Sequence, residues 1–208
     1  MTSNIIHRIS NSRNNILDIL EKHQEYDTND YKEFSIHEID TMYTNDQLDM
    51  LLTHKLENKK IYVKYALSSK PMRAPTIDNY IEDLFQIESI LTKNDTLLVI
   101  LLDEPSENII SHIKHLYNNE GYFVVILTIN RLQYNLLDHE LVPSLEILTD
   151  QDKQQVFKQY NIKNSKQLPE INRFDPQAQV MCMRPGDVGR FTRKSVTSVD
   201  YDYYRVCV

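Results

Sequence analysis

Residues 97–127 read LLVILLDEPSENIISHIKHLYNNEGYFVVIL, and the fold turns on them. Residues 97–102 and 122–127 are continuous apolar runs rich in Val, Ile, Leu and Phe, as strands covered on both faces are. Between them Ile109, Ile110, Ile113, Leu116 and Tyr117 recur at helical spacing, Ser106 stands at the N-cap, and Gly121 stands where a helix needs a left-handed residue to stop. Two buried strands joined by a helix make a βαβ crossover, and such a crossover implies parallel pairing.

Upstream, Ile5, Ile9, Ile16 and Leu20 recur at helical spacing, with Ile6, Leu17 and Ile19 widening the stripe, and predict a helix over 4–24. Thr44 and Gln47 form a capping pair ahead of Leu48, Leu51, Leu52 and Leu56, which predicts a second helix. Residues 61–67 alternate and are rich in β-formers, so a strand is expected. After a loop with Pro71 and Pro75, Thr76 caps a helix presenting Ile77, Ile81, Leu84, Phe85 and Leu91. Residues 1–137 therefore read as a small α/β domain built round the βαβ unit.

Downstream, the texture changes. Residues 138–143 read as a short extended segment ended by Pro143. Thr149 with Asp152 caps a helix of about 150–160, whose apolar face is Val156, Phe157 and Tyr160. Leu168-Pro169 and Asp175-Pro176 mark turns. Three short strands are expected over 179–183, 188–193 and 203–208, with Arg184-Pro185-Gly186-Asp187 turning between the first two. Residues 138–208 thus form a second, α+β domain with a small mixed sheet.

Composition excludes several functions. The 208 residues are 41% hydrophobic and 25% charged, which is a globular composition. No window approaches the roughly 20 uninterrupted apolar residues of a membrane span, and the start MTSNIIHRIS has no long apolar stretch, so no secretory signal is expected. Two cysteines build no disulfide framework and fit a reduced, intracellular chain. The three glycines, Gly121, Gly186 and Gly189, are too few and too scattered for a phosphate-cradling loop. Residues 1–137 hold 13 Lys+Arg against 20 Asp+Glu, and residues 138–208 hold 10 of each, so the whole net charge of −7 lies in the first part. A free-standing nucleic-acid binder is ordinarily basic, because phosphate neutralisation supplies much of its affinity.

The reactive side chains fall short of known constellations. His112 and His115 are spaced to share a helix face, but His37-Glu38 and His139-Glu140 each lack the second histidine of a zinc helix. Cys182 and Cys207 are isolated, whereas structural zinc takes four ligands in paired spacing. A nuclease would need carboxylates clustered at adjacent strand ends to hold magnesium. Asp103 and Glu104 end one strand, but Tyr62 stands where a Glu-x-Lys pair with Lys64 would need its acid. Ser195 has no nucleophile elbow around it. No catalytic residue, metal, cofactor or small-molecule ligand is therefore expected. Arg193 and Arg205 could each pair with a partner's carboxylate or with one inside the domain. Lys59, Lys60, Lys64, Lys70 and Arg73 form the one basic stretch of the acidic part and are the candidates for contact with DNA.

The C-terminal part carries an ordered set of residues: His139-Glu140-Leu141-Val142-Pro143, Leu148-Thr149-Asp150, Tyr160, Gln167-Leu168-Pro169, Ile171, Asp175-Pro176, Gly186-Asp187, Arg193-Lys194-Ser195 and Tyr204-Arg205-Val206-Cys207. In order and spacing this set resembles the fifth subunit of eukaryotic RNA polymerases, whose assembly domain is shared with the H polypeptide of archaeal polymerases. The resemblance covers residues 138–208; residues 1–137 resemble the eukaryotic jaw domain in length and element order. It departs from the family pattern at Ser144-Leu145, around 163–166, at Val180-Met181-Cys182-Met183 and at Thr197-Ser198-Val199-Asp200. Low Gly, no Trp and abundant Asn, Ile and Tyr fit an AT-rich genome, as in some protists and large DNA viruses.

The resemblance implies a non-catalytic structural subunit of a multisubunit DNA-directed RNA polymerase. Residues 138–208 would dock on the largest subunit through His139, Val142, Pro143, Asp175, Pro176, Gly186, Arg193, Ser195, Tyr204 and Arg205. Residues 1–137 would form part of the lower jaw, touching downstream DNA weakly, and the magnesium chemistry would sit on the two largest subunits. The alternatives are a nuclease-like enzyme and a stand-alone regulator that binds polymerase. No membrane contact is expected, and the setting would be the nucleus of a cell, or the virion and infected host for a viral chain.

Overall fold

The computed structural model describes residues 2–68, 70–194 and 199–208. The chain divides into two compact units, Met1–Asn135 and Leu136–Val208.

The first unit is a four-stranded sheet with helices on both faces. Its strands are β1 (Met50–Thr53), β2 (Lys60–Ala66), β3 (Thr96–Leu101) and β4 (Phe123–Thr128), in that spatial order. The β1–β2 pair is antiparallel, while β2–β3 and β3–β4 are parallel. Every residue of β3 and β4 is buried, as the unbroken apolar runs require. The register puts Leu97 beside Tyr62 and Val124, and Leu98 beside Val63 and Val125. One face of the sheet therefore carries Leu97, Val99, Leu101, Val124 and Ile126. These pack with Ile77, Ile81 and Leu84 and with Ile109, Ile113 and Leu116, which come from α3 (Ala74–Ile81, continued by a π-helical turn at Glu82–Ile87) and α4 (Glu107–Glu120). Each such side chain, fully buried, contributes about 1.5–3 kcal/mol. Gly121 ends α4 at φ +81, in the left-handed region that glycine enters without strain.

The other face meets α1 (Thr2–Gln24), whose Ile9, Ile16, Leu17 and Leu20 are buried. Ser12 of α1 hydrogen-bonds Tyr65 of β2 at 3.3 Å, and the buried Arg13 donates to the Leu48 carbonyl at 2.9 Å. Arg13 also lies 5.3 Å from the Phe34 ring centre and 5.7 Å from that of Tyr31. Burial lowers its pKa, an effect partly offset by Tyr65 and Tyr31.

The expected helix from Thr44 is not formed. α2 runs Ile36–Thr44, opened by a capping box between Ser35 and Glu38, and Leu51 and Leu52 belong to β1. The leucine spacing fits either period. Pairing with β2 decides, because it buries Met50 and Leu52 on one side and leaves Leu56 exposed in the turn. The Arg73 backbone, not Thr76, caps α3, and Pro75 falls in its first turn.

The second unit is a mixed sheet in the order β5 (Ser144–Ile147), β7 (Val188–Lys194), β8 (Asp200–Cys207) and β6 (Glu170–Ile171). The β5–β7 and β7–β8 pairs are antiparallel and β6–β8 is parallel. On one face Val188 and Val206 pack with Leu168, Leu148, Phe157, Ile162 and Tyr204, beneath α5 (Asp150–Gln159), which Thr149 caps by accepting from the Asp152 amide. On the other face Phe191 and Cys207 pack with Leu145, Ile171, Ala178, Met181 and Met183. Residues 138–143 are not extended: a 3-10 turn covers Leu136–Asp138, and the strand begins only at Ser144. Residues 179–183 are not a strand: α6 (Pro176–Val180) and the turn after it occupy them. Asp175 caps α6 and Pro176 opens it, and this start signal overrides the β-prone Val180-Met181-Cys182-Met183.

Candidate functional site

The predicted docking residues fall into groups. Val142 donates its amide to the His139 carbonyl, and the Pro143 carbonyl accepts from the Gln177 side chain at 2.7 Å, so the turn before β5 is tied to the start of α6. Asp175 and Pro176 lie at that same start. Gly186, at φ +97 in the 184–187 turn, donates to Cys207 and accepts from the Lys153 ammonium at 2.9 Å. Tyr204 lies on the α5 face, 5.8 Å from Tyr160 between ring centres. Ser195 lies outside the described residues.

Arg193 and Arg205 come together on the opposite face. Alternate residues of a strand share a side, and the register sets Gly189 beside Arg205, Phe191 beside Tyr203 and Arg193 beside Tyr201. The Arg193 guanidinium is 4.6 Å from the Tyr203 ring centre, and that of Arg205 is 5.5 Å from it and 6.0 Å from Phe191. Tyr203 stacks on Phe191 at 5.1 Å. Among the described residues no carboxylate pairs with either arginine, so the intradomain ion pair is not formed. The Nε of Arg205 is buried with no hydrogen-bond partner. On the α5 face the same hairpin is satisfied across strands: Arg190 pairs with Glu146, and Thr192 donates to Asp202 at 2.7 Å. Sequence reading missed Tyr201 and Tyr203. The i, i+2, i+4 pattern of Tyr201, Tyr203 and Arg205 on one strand was the signal that could have found them.

The basic stretch is divided. Lys59 and Lys60 stand at the start of β2 and Lys70 and Arg73 beyond its end, about 20 Å apart for a strand of this length. Lys59 pairs with Glu57 at 2.5 Å, and the Lys60 ammonium reaches the Ile90 carbonyl at 3.4 Å. Lys64 is half-buried and pairs with Asp49 at 2.5 Å, a carboxylate that also accepts from Tyr62 at 3.2 Å. Burial, with Asp49 adding, holds the Tyr62 phenol far above its ordinary pKa. Lys70 and Arg73 are exposed, pair with no carboxylate among the described residues, and line a cleft of about 1340 Å³ at the ends of β2 and β3. Asp46, Asp103 and Glu104 stand on the same cleft.

The arrangement offers no hydrolytic centre among the described residues. Glu104 accepts from Arg131 at 3.2 Å, and Asp103 is exposed. His112 turns to Asp78 at 2.6 Å and His115 to Asn119 at 2.8 Å, so the two imidazoles do not share a ligand site. Among the described residues no group of three His, Cys, Asp or Glu side chains is placed to hold a metal ion, and no helix is long and apolar enough to cross a membrane. Cys207 donates to the Met183 carbonyl at 3.6 Å, and burial, with Asp187 adding and Arg173 opposing, pushes its thiol up to about 12.

Residues 134–207 match the family model of the RNA polymerase Rpb5 C-terminal domain. DNA-directed RNA polymerase subunit Rpo5 of Thermococcus kodakarensis is 42% identical over 76 residues, which are 36% of this chain and 92% of that protein. The Rpo5 subunits of Methanosarcina acetivorans and Archaeoglobus fulgidus are 41% and 36% identical, over 96% and 100% of their lengths. The aligned segment takes in both faces of the hairpin and α5 and α6, and by it this chain belongs to the Rpb5 family of RNA polymerase subunits.

Proposed function

We propose that this chain is a non-catalytic structural subunit of a multisubunit DNA-directed RNA polymerase, working in transcription within the cell or virion. Residues 138–208 dock on the largest subunit, and residues 1–137 form part of the lower jaw near downstream DNA. The observation that carries this reading is the 36–42% identity of this chain, over 92–100% of their lengths, with proteins named as polymerase subunits. The docking group is His139, Val142, Pro143, Asp175, Pro176, Gly186, Arg193, Ser195, Tyr204 and Arg205. Within the basic stretch, Lys70 and Arg73 are the cations best placed for DNA, because Lys59 and Lys64 are already committed to carboxylates.

Cross-linking mass spectrometry on the assembled polymerase tests the arrangement. Lysine-directed links from Lys158, Lys163 and Lys166 should reach the largest subunit, and a photoreactive downstream duplex should label residues 1–137. Links to the largest subunit from Lys55, Lys93 and Lys114 alone would reverse the assignment of the two parts.

A further inference from the structure

We infer that the Arg193–Tyr203–Arg205 face of the β7–β8 hairpin is an acid-reading surface, and that its occupant is a short acidic segment of a protein partner. The inference rests on the docking reading above and names the chemistry of that contact.

Two guanidinium groups flank one tyrosine ring on this face, at 4.6 and 5.5 Å, and no described carboxylate answers either charge. Each guanidinium lies within cation–π range of the ring, and a planar guanidinium with no carboxylate partner suits bidentate capture of an incoming carboxylate. Arg205 is already partly desolvated, its Nε being buried and unpartnered. An incoming carboxylate therefore gains two charge-assisted bonds while little further water is stripped from the protein side. Tyr201, 42% exposed and on the same side of β8 as Tyr203, continues the face with partly apolar surface, so the segment carries apolar side chains beside its acids.

A nucleic acid would present the same anionic chemistry, but charge disfavours it here. The unit has as many acidic as basic residues, and Asp200 and Asp202 lie on the same hairpin and would repel a continuous polyphosphate. Two arginines suffice to take one or two carboxylates, whereas binding a phosphate backbone draws on neutralisation by a wider excess of cations.

The test uses the full chain, the largest subunit of its polymerase and, as competitor, a short DNA duplex. Truncating one partner of a hydrogen-bonded interfacial charge pair commonly weakens binding by about 30-fold or more. R193E with R205E should therefore lose at least that much affinity for the largest subunit, while K163E with K166E stays within about twofold and both retain the native thermal midpoint. In R193K, carbodiimide should couple the introduced amine to an Asp or Glu of the largest subunit, located by mass spectrometry. Full affinity in the double arginine variant would overturn the inference and leave the docking reading standing. Failure of the unaltered chain to bind the largest subunit would remove both. Binding of the duplex that the double variant abolishes, with subunit affinity unchanged, would overturn the inference in favour of nucleic acid.

Discussion

Cys207 illustrates what a single position can carry. The unreactive state of this thiol follows from burial: only the thiolate attacks an alkylating reagent, and here ionisation is pushed from 9.0 to about 12. Iodoacetamide at pH 8 should leave Cys207 unmodified in the folded protein and label it once the chain is unfolded; labelling of the native protein at this residue, read by mass spectrometry, would contradict the account. The linkage has a definite sign. The folded chain keeps a proton that the unfolded chain loses, so the stability this group adds is complete below pH 9 and is lost as pH rises through 9 toward 12. Tyr65, also pushed up to about 12 by burial, erodes stability in the same direction. Other single residues were legible only in part. The sequence admits Arg193 and Arg205 either to an internal ion pair or to a partner. Their place beside Tyr203 depends on a strand register that no local pattern prints.

At the level of elements, the buried strands β3 and β4 and the helix between them were plain in the sequence, because two short apolar runs rich in Val and Ile flank a helix that Ser106 and Gly121 bracket. Short elements were not. β1 and α6 each run counter to local pattern: pairing with β2 makes a strand of leucines at helical spacing, and a capped proline makes a helix of β-prone residues. β6, with two residues, leaves no periodic trace. Gly189 sits where a side chain would crowd the core. A Cβ there would lie 2.6 Å from Leu145 Cδ1, 3.1 Å from Phe191 Cε2 and 3.2 Å from Met183 Cε, all on the core face of the second sheet. Gly189→Ala should destabilise the unit by about 1–3 kcal/mol, the usual cost of overpacking, and Gly189→Val by more. Faster amide hydrogen exchange in β7 and β8 is the readout; unchanged protection would mean that this core gives way more easily than its packing implies.

For the molecule as a whole, charge sets the terms of any contact with DNA. The net charge of −7 falls entirely in residues 1–137, and the two pairs of exposed or rim cations, Lys59 with Lys60 and Lys70 with Arg73, lie at opposite ends of β2. The isolated chain should therefore bind duplex DNA more weakly than about 1 μM at 0.15 M salt, at or beyond the weak side of ordinary non-specific binding. A tighter dissociation constant by titration would show that the acidic background is locally overcome. Membership of the family was legible from an ordered set of residues in the last third of the chain, whereas the jaw reading of residues 1–137 rests on length and element order alone. The central claim is membership of a polymerase as a stoichiometric subunit, and its most direct measurement is quantitative mass spectrometry of the polymerase purified through a high-salt wash by a tag on this chain. The account predicts the largest subunit and this chain in equal amounts after the wash; loss of the polymerase subunits in high salt would contradict it and would mark the chain as a dissociable regulator.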